Sequence, residues 1–150
     1  MSLSCDDTDV RAARMHYREL HSWTVSVHEA AKIQEALNSQ VSLIDGFAEI
    51  RSIGGIDVSA PIPSSVGCAG VAILSFEDLS LVEFRYAKKE LTWPYIPGFL
   101  SFREVPVIIA ALEKVECIPD VIVVDGQGIA HPRRFGIAAH LGVLLNAPTI

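Results

Sequence analysis

Three carboxylates, Asp57, Glu104 and Asp125, stand where solvation explains an acidic side chain poorly. Asp57 interrupts the small, apolar run Ile53-Gly54-Gly55-Ile56-Asp57-Val58. Asp125 closes the apolar run Val121-Ile122-Val123-Val124, and Glu104 lies at the mouth of a helical stretch. If the strands carrying Asp57 and Asp125 are neighbours, these two carboxylates meet at the C-terminal edge of the sheet, where ligands of open α/β sheets collect. Converging carboxylates repel unless a cation sits between them, and all-oxygen ligation with open positions suits Mg2+ or Mn2+. A carboxylate-bound divalent pair is the usual device for in-line attack on a phosphodiester. Each residue also has a plainer reading. Asp125 before Gly126-Gln127-Gly128 can serve as a turn residue. Glu104 can be a helix-terminal carboxylate favoured by the helix dipole, and Asp57 the partner of a buried Arg or Lys.

These residues need elements to hold them. Ser26-Val27-His28-Glu29 is a capping box, and Ala30, Ile33, Leu37 and Val41 recur at helical spacing, so residues 26–41 are expected to form an amphipathic helix. Strands are expected at 53–59, 70–76 and 81–87, the last with Val82, Phe84 and Tyr86 on one face and Glu83, Arg85 and Ala87 on the other. Pro94 and Pro97 make residues 91–100 neither helix nor strand interior. Pro106 best fits the first position of a helix starting near Val105 and running to Val115. Residues 119–125, without alternation, read as a strand buried on both faces, and a last helix is expected at 134–145. This order predicts a single α/β domain over 1–150: three antiparallel strands, then parallel strands with crossover helices. Residues 1–22 are polar and without a period.

A chain of 150 residues, half of them hydrophobic, is long enough for one core and excludes intrinsic disorder. Mean hydropathy is +0.35, yet no apolar run approaches the ~18–20 residues that span a bilayer. Net charge is −6, which argues against a nucleic-acid partner unless bound cations convert some carboxylates into a phosphate site. Cys5, Cys68 and Cys117 form no CxxC pair, and the N-terminus lacks the basic and apolar regions of a signal peptide. A reduced, cytoplasmic protein is expected, with Cys68 and Cys117 as small buried hydrophobes. His140, on an apolar stretch, is expected in the core. His131, beside Arg133-Arg134, suits either phosphate contact or an exposed loop. Trp93, Tyr95 and Phe99 are core aromatics or a surface on which bases stack.

Three stretches go further. Ile53-Gly54-Gly55-Ile56-Asp57-Val58, then Pro94-Tyr95-Ile96-Pro97-Gly98-Phe99-Leu100-Ser101-Phe102-Arg103-Glu104, then Val124-Asp125-Gly126-Gln127-Gly128-Ile129-Ala130-His131-Pro132-Arg133-Arg134-Phe135-Gly136 resemble the endonuclease V family, nucleases that act on inosine-containing nucleic acid. His140-Leu141-Gly142-Val143-Leu144 continues the likeness, which covers residues 20–150.

The resemblance implies an RNase H-like fold and hydrolysis of the second phosphodiester 3′ to a deoxyinosine, leaving 3′-hydroxyl and 5′-phosphate ends. It implies Asp57, Glu104 and Asp125 as ligands of Mg2+, with Mn2+ as a substitute. Pro94-Tyr95-Ile96-Pro97 would be a strand-separating wedge. Tyr95, Gly98, Leu100, Gly126 and Gly128 would bind the flipped-out base, glycines letting main-chain amides approach its edge. His131 would lie near the nucleic-acid backbone. The implied partner is inosine-containing DNA, with RNA also within the family's range, and no membrane; a monomer is expected. The family continues past Pro148-Thr149-Ile150 with a fifth strand, a lysine and a later helix, so the fold is expected to be C-terminally incomplete. An inosine-binding chain that cannot cut, and another RNase H-like nuclease, are the alternatives.

Overall fold

A computed structural model describes residues 11, 12, 15–46 and 49–150. The capping box forms as expected and starts α1, Val27–Asn38. The Ser26 hydroxyl accepts from the Glu29 amide, and the Ser26 amide donates to the Glu29 carboxylate at 2.8 Å. The helix stops short of Val41 because the Ser39 hydroxyl donates to the Ala36 carbonyl and closes the last turn.

Four strands make the main sheet, in the order β4-β3-β2-β6. β2 (Ser52–Ser59), β3 (Val66–Ser75) and β4 (Leu81–Glu90) form the expected antiparallel meander, and β6 (Val121–Val124) joins β2 in parallel. Asp120 fixes that parallel register: one carboxylate oxygen accepts from the amides of Arg51 and Ser52. Residues 148–150 run alongside β6, with Thr149 bridging Ile122 in parallel. A separate two-stranded ladder of β1 (Arg11–Ala12) and β5 (Cys117–Ile118) was not legible in the sequence.

Several expectations need correction. In β4 the register shifts at Ile73/Leu74, which pair with Glu83 and Leu81, so Val82 is left without a partner of its own. This bulge buries Val82 while Phe84 and Tyr86 stay exposed together, so the three do not share a face. The carboxylate of Glu83 is buried because it accepts from the amides of Glu116 and Cys117 and pairs with Arg85 at 3.0 Å. β6 is not buried on both faces, since Val123 is exposed. The segment from Met15 to Trp23 is not merely polar: Met15 is buried, and Tyr17, Leu20 and Trp23 pack on the core. Residues 1–10 lie outside the described residues.

The helix expected from Val105 begins earlier. α2 spans Leu100–Leu112, with Phe99 as its N-cap and Pro106 inside it. Proline has no amide hydrogen, so the Phe102 carbonyl loses its helical partner, a defect that normally costs ~3 kcal/mol or more. Burial offsets it, because Phe102, Val105, Val107 and Ile108 are fully enclosed against the sheet and the aromatic cluster. Glu104 is therefore the fifth residue of α2, beyond its first turn, and the reading as a dipole-stabilised terminal carboxylate falls.

α3 spans Ile137–Leu145, three residues later than expected, after a turn in which Arg134 has a positive φ. Its His140 is fully buried, as expected of a core histidine, and hydrogen-bonded at both nitrogens. Partner chemistry leaves one proton arrangement. The Ser22 carbonyl can only accept, so His21 Nδ1 donates to it (2.9 Å) and His21 Nε2 is an acceptor. His140 Nε2 then donates to His21 Nε2 at 2.7 Å, and the Ser101 hydroxyl donates to His140 Nδ1 at 3.0 Å. Cys68 is a free thiol, half-buried rather than buried, whereas Cys117 is buried as expected of a small hydrophobe. No helix among the described residues is long and apolar enough to cross a membrane.

Candidate active site

Parallel pairing of Ile56 with Val124 makes Asp57 and Asp125 the next residues along two adjacent strands. The Asp125 amide lies 3.4 Å from the Ile56 carbonyl, carrying the pairing one step further. α2 delivers Glu104 from above. The three carboxylates line one cavity of about 240 Å3, together with Tyr95, Leu100, Ile108 and Ile137. Asp57 and Asp125 are exposed and neither has a hydrogen-bonded or ion-paired partner among the described residues, which removes the reading of Asp57 as half of a buried ion pair.

Glu104 records this convergence electrostatically. Its carboxyl is pushed up to about 7, chiefly by burial, with Asp57 and Asp125 adding to the rise and the Arg103 guanidinium opposing it. Among the described residues no lysine, arginine or histidine lines the cavity to balance three acids. The donor set is all oxygen and net negative, the chemistry of a hard divalent cation. The three side chains do not form a closed cage, for no group of three metal-ligating side chains among the described residues is ready to enclose an ion. Mg2+ does not require one: it is usually held by one or two carboxylates, with water and substrate phosphate completing the shell. Asp57, Glu104 and Asp125 fit that role.

Residues 91–99 form the rim. Trp93 and Phe99 turn inward and stack on each other at 6.2 Å, with Phe102 against both at centroid distances of 5.1 and 6.4 Å, whereas Tyr95 is 57 % exposed. Of the three aromatics, only Tyr95 therefore has a face free for a base. Leu100 lines the cavity; Gly98, Gly126 and Gly128 do not. A Cβ on Gly126 would collide with Ile137, so glycine there allows α3 to pack closely behind Asp125. His131 is buried, contrary to an exposed loop histidine. Its Nδ1 accepts from the Arg133 amide, so Nε2 donates to the Gly98 carbonyl at 2.9 Å, and burial lowers its pKa. It faces the rim loop rather than the cavity.

A family model described as Endonuclease V matches residues 35–150, well over half of the chain. The chain belongs to the endonuclease V family. It is 50% identical over 137 residues to endonuclease V of Trichormus variabilis, covering 91% of this chain and 62% of the relative. It is also 50% identical over 133 residues to endonuclease V of Dictyoglomus turgidum, covering 89% of this chain and 57% of that one. Among solved structures, endonuclease V of Streptomyces avermitilis superposes with a TM-score of 0.80 at 37% identity, over 91% of this chain and 60% of that chain. Endonuclease V of Ciona intestinalis, solved with a 24-mer DNA containing an inosine followed by a ribo-adenosine, gives a TM-score of 0.75 at 30% identity, over 82% of this chain and 55% of that chain. The chain thus spans about three fifths of the length of its endonuclease V relatives.

Two features of the rim escaped the sequence reading. Gln34 is buried and bonds Gly98, Phe135 and Arg133; its position, four after Ala30 and three before Leu37, marks a polar residue on the helix's apolar face. Arg103 is buried and donates to the Trp93 carbonyl, a role that nothing in its local pattern announces.

Proposed function

We propose that this chain carries the catalytic carboxylates of a Mg2+-dependent DNA-repair endonuclease that recognises deoxyinosine. In this reading it cuts the second phosphodiester 3′ to the lesion and leaves 3′-hydroxyl and 5′-phosphate ends. The observation that carries the reading is a single cavity lined by Asp57, Glu104 and Asp125 with the exposed Tyr95 at its rim. The inosine-containing DNA held by the Ciona relative supports the choice of substrate. The reading extends to Mn2+ as a substitute, RNA as a second substrate, and a cytoplasmic monomer.

When bound, Mg2+ would neutralise the phosphodiester and make water a better nucleophile. The chain's own residues do the rest. Asp57 and Asp125 present unpaired carboxylates from adjacent strand ends, and the three carboxylates would hold the ion, with Glu104 binding it in its deprotonated form. Leu100, Ile108 and Ile137 make the cavity wall apolar and limit the water that reaches it. Pro94 and Pro97 restrict the backbone on either side of Tyr95, so its ring is presented with little freedom left to lose.

Asp57→Ala and Asp125→Ala should each abolish Mg2+-dependent cleavage of an inosine-containing oligonucleotide while leaving the circular dichroism spectrum unchanged. Retained cleavage in either variant would sink the assignment. Because the chain spans only 62% of a relative's length, a second reading also stands: it binds inosine-containing strands without cutting them. A gel shift in Ca2+ with no cleavage in Mg2+ or Mn2+ would select it.

A further inference from the structure

We infer that Gln34, His131 and Arg133 are positioning residues that aim the Tyr95 loop, and through it set the preference for an inosine-containing duplex. This rests on the function proposed above. All three side chains converge on one main-chain atom, the Gly98 carbonyl oxygen. Gln34 Nε2 donates to it at 3.1 Å, His131 Nε2 at 2.9 Å and Arg133 Nη2 at 2.8 Å. A carbonyl oxygen has two lone pairs, so three donors saturate it and leave nothing for a substrate to take.

The clamp is itself locked. Gln34 is 1 % exposed; its second Nε2 hydrogen goes to the Phe135 carbonyl, and its Oε1 accepts from Arg133 Nε at 2.7 Å. The Arg133 guanidinium lies over the Phe99 ring, 4.4 Å from its centroid. Gly98 has φ +83°, and a Cβ there would stand 3.0 Å from Arg133 Nη2, so backbone and clamp fit only with glycine.

Geometry transmits the clamp to the tip. Gly98 is three residues from Tyr95, the Phe99 amide donates to the Ile96 carbonyl at 3.0 Å, and Pro94 and Pro97 hold two further φ angles. A shift at Gly98 has little slack in which to dissipate before it reaches the tyrosine. Helix α1 and the 131–135 turn, which do not line the carboxylate cavity, thereby govern a group at its rim.

The test separates duplex opening from base binding. Gln34→Met keeps the side chain's length and removes all three of its hydrogen bonds. Wild type and variant are titrated in Ca2+ with an inosine duplex carrying 2-aminopurine beside the lesion, with the undamaged duplex, and with the inosine strand alone. The expected result is that Gln34→Met binds the inosine duplex on the order of 10-fold more weakly, the loss that follows when positioning hydrogen bonds are removed. The 2-aminopurine fluorescence rise should be lost with it, while affinity for the single strand is retained. Arg133→Lys, which keeps the charge and gives up the planar fork, carries the same test should Gln34→Met fail to fold. Unchanged duplex binding, or an equal loss on single strand and duplex, overturns the inference alone. A wild type with no preference for the inosine duplex overturns the proposed function and takes this inference with it.

Discussion

Acidification should weaken this fold through a single buried ring. His140 is enclosed on all sides, and its pKa is pushed down to about 3 by burial, with His21 adding to the fall. An unfolded histidine takes its proton near 6.5, so between pH 6.5 and pH 3 the unfolded chain binds a proton that the folded chain refuses. Stability from this residue is therefore complete above pH 6.5 and is lost as pH falls through that window. At ~1.4 kcal/mol per pH unit the loss reaches about 5 kcal/mol at pH 3, comparable with the whole stability of a modest domain. Urea unfolding midpoints measured from pH 8 to pH 4 on wild type and His140→Leu provide the assay. The variant should start less stable at pH 8, because Ser101 and His21 each lose a buried partner at ~1–3 kcal/mol apiece. It should then show a clearly shallower pH dependence, leaving the two curves closer at pH 4. Parallel curves for wild type and variant would refute the reasoning.

Other consequences are simpler to measure. With its pKa raised to about 7 by burial first and by two neighbouring acids, Glu104 favours the folded state below about pH 4.5 and loses that contribution as pH rises through 7, so Glu104→Gln should raise the melting temperature of EDTA-treated protein at pH 8. Mg2+ should raise the melting temperature of wild type by mass action, and by much less in Asp57→Ala, so an equal rise in both would count against that residue as a ligand. Phe102→Ala, at a fully buried position where α2 enters the aromatic cluster, should cost about 3–5 kcal/mol in urea unfolding. Ser26→Ala should cost about 1 kcal/mol, through loss of the α1 cap, and leave inosine binding untouched.

The antiparallel meander and the three carboxylates were legible because each depends on local pattern: alternation in β2 to β4, a β-branched run in β6, acids out of place in apolar surroundings; the adjacency of β2 and β6 is a long-range pairing and stood only as a condition. Errors arose where packing overruled such a pattern. Pro106 looked like a helix start because proline is costly inside a helix, yet enclosure of Phe102 and Val105 outweighed that cost. Val82 was put on the face of Phe84 because strict alternation has no means of showing a bulge. His131 looked like a loop residue available to phosphate, but its burial depends on Gln34 and Gly98, which lie far away in sequence. Val123 was expected to be covered on the strength of its neighbours, although coverage is decided by which helices lie on which face.

The parallel pairing of β2 with β6 joins residues sixty-eight apart in sequence, since Ile53 faces Val121 and Ile56 faces Val124. Hairpins β2–β3 and β3–β4 need only short chain closures and give up little entropy to form, whereas this contact must first close a long loop. The carboxylate cavity does not exist until it has done so. Partly folded chains can thus hold the meander intact while having no cation site at all. On the proposed function, Mg2+ affinity would report this long-range step in folding, and a cation present during refolding should favour the completed sheet without speeding the hairpins.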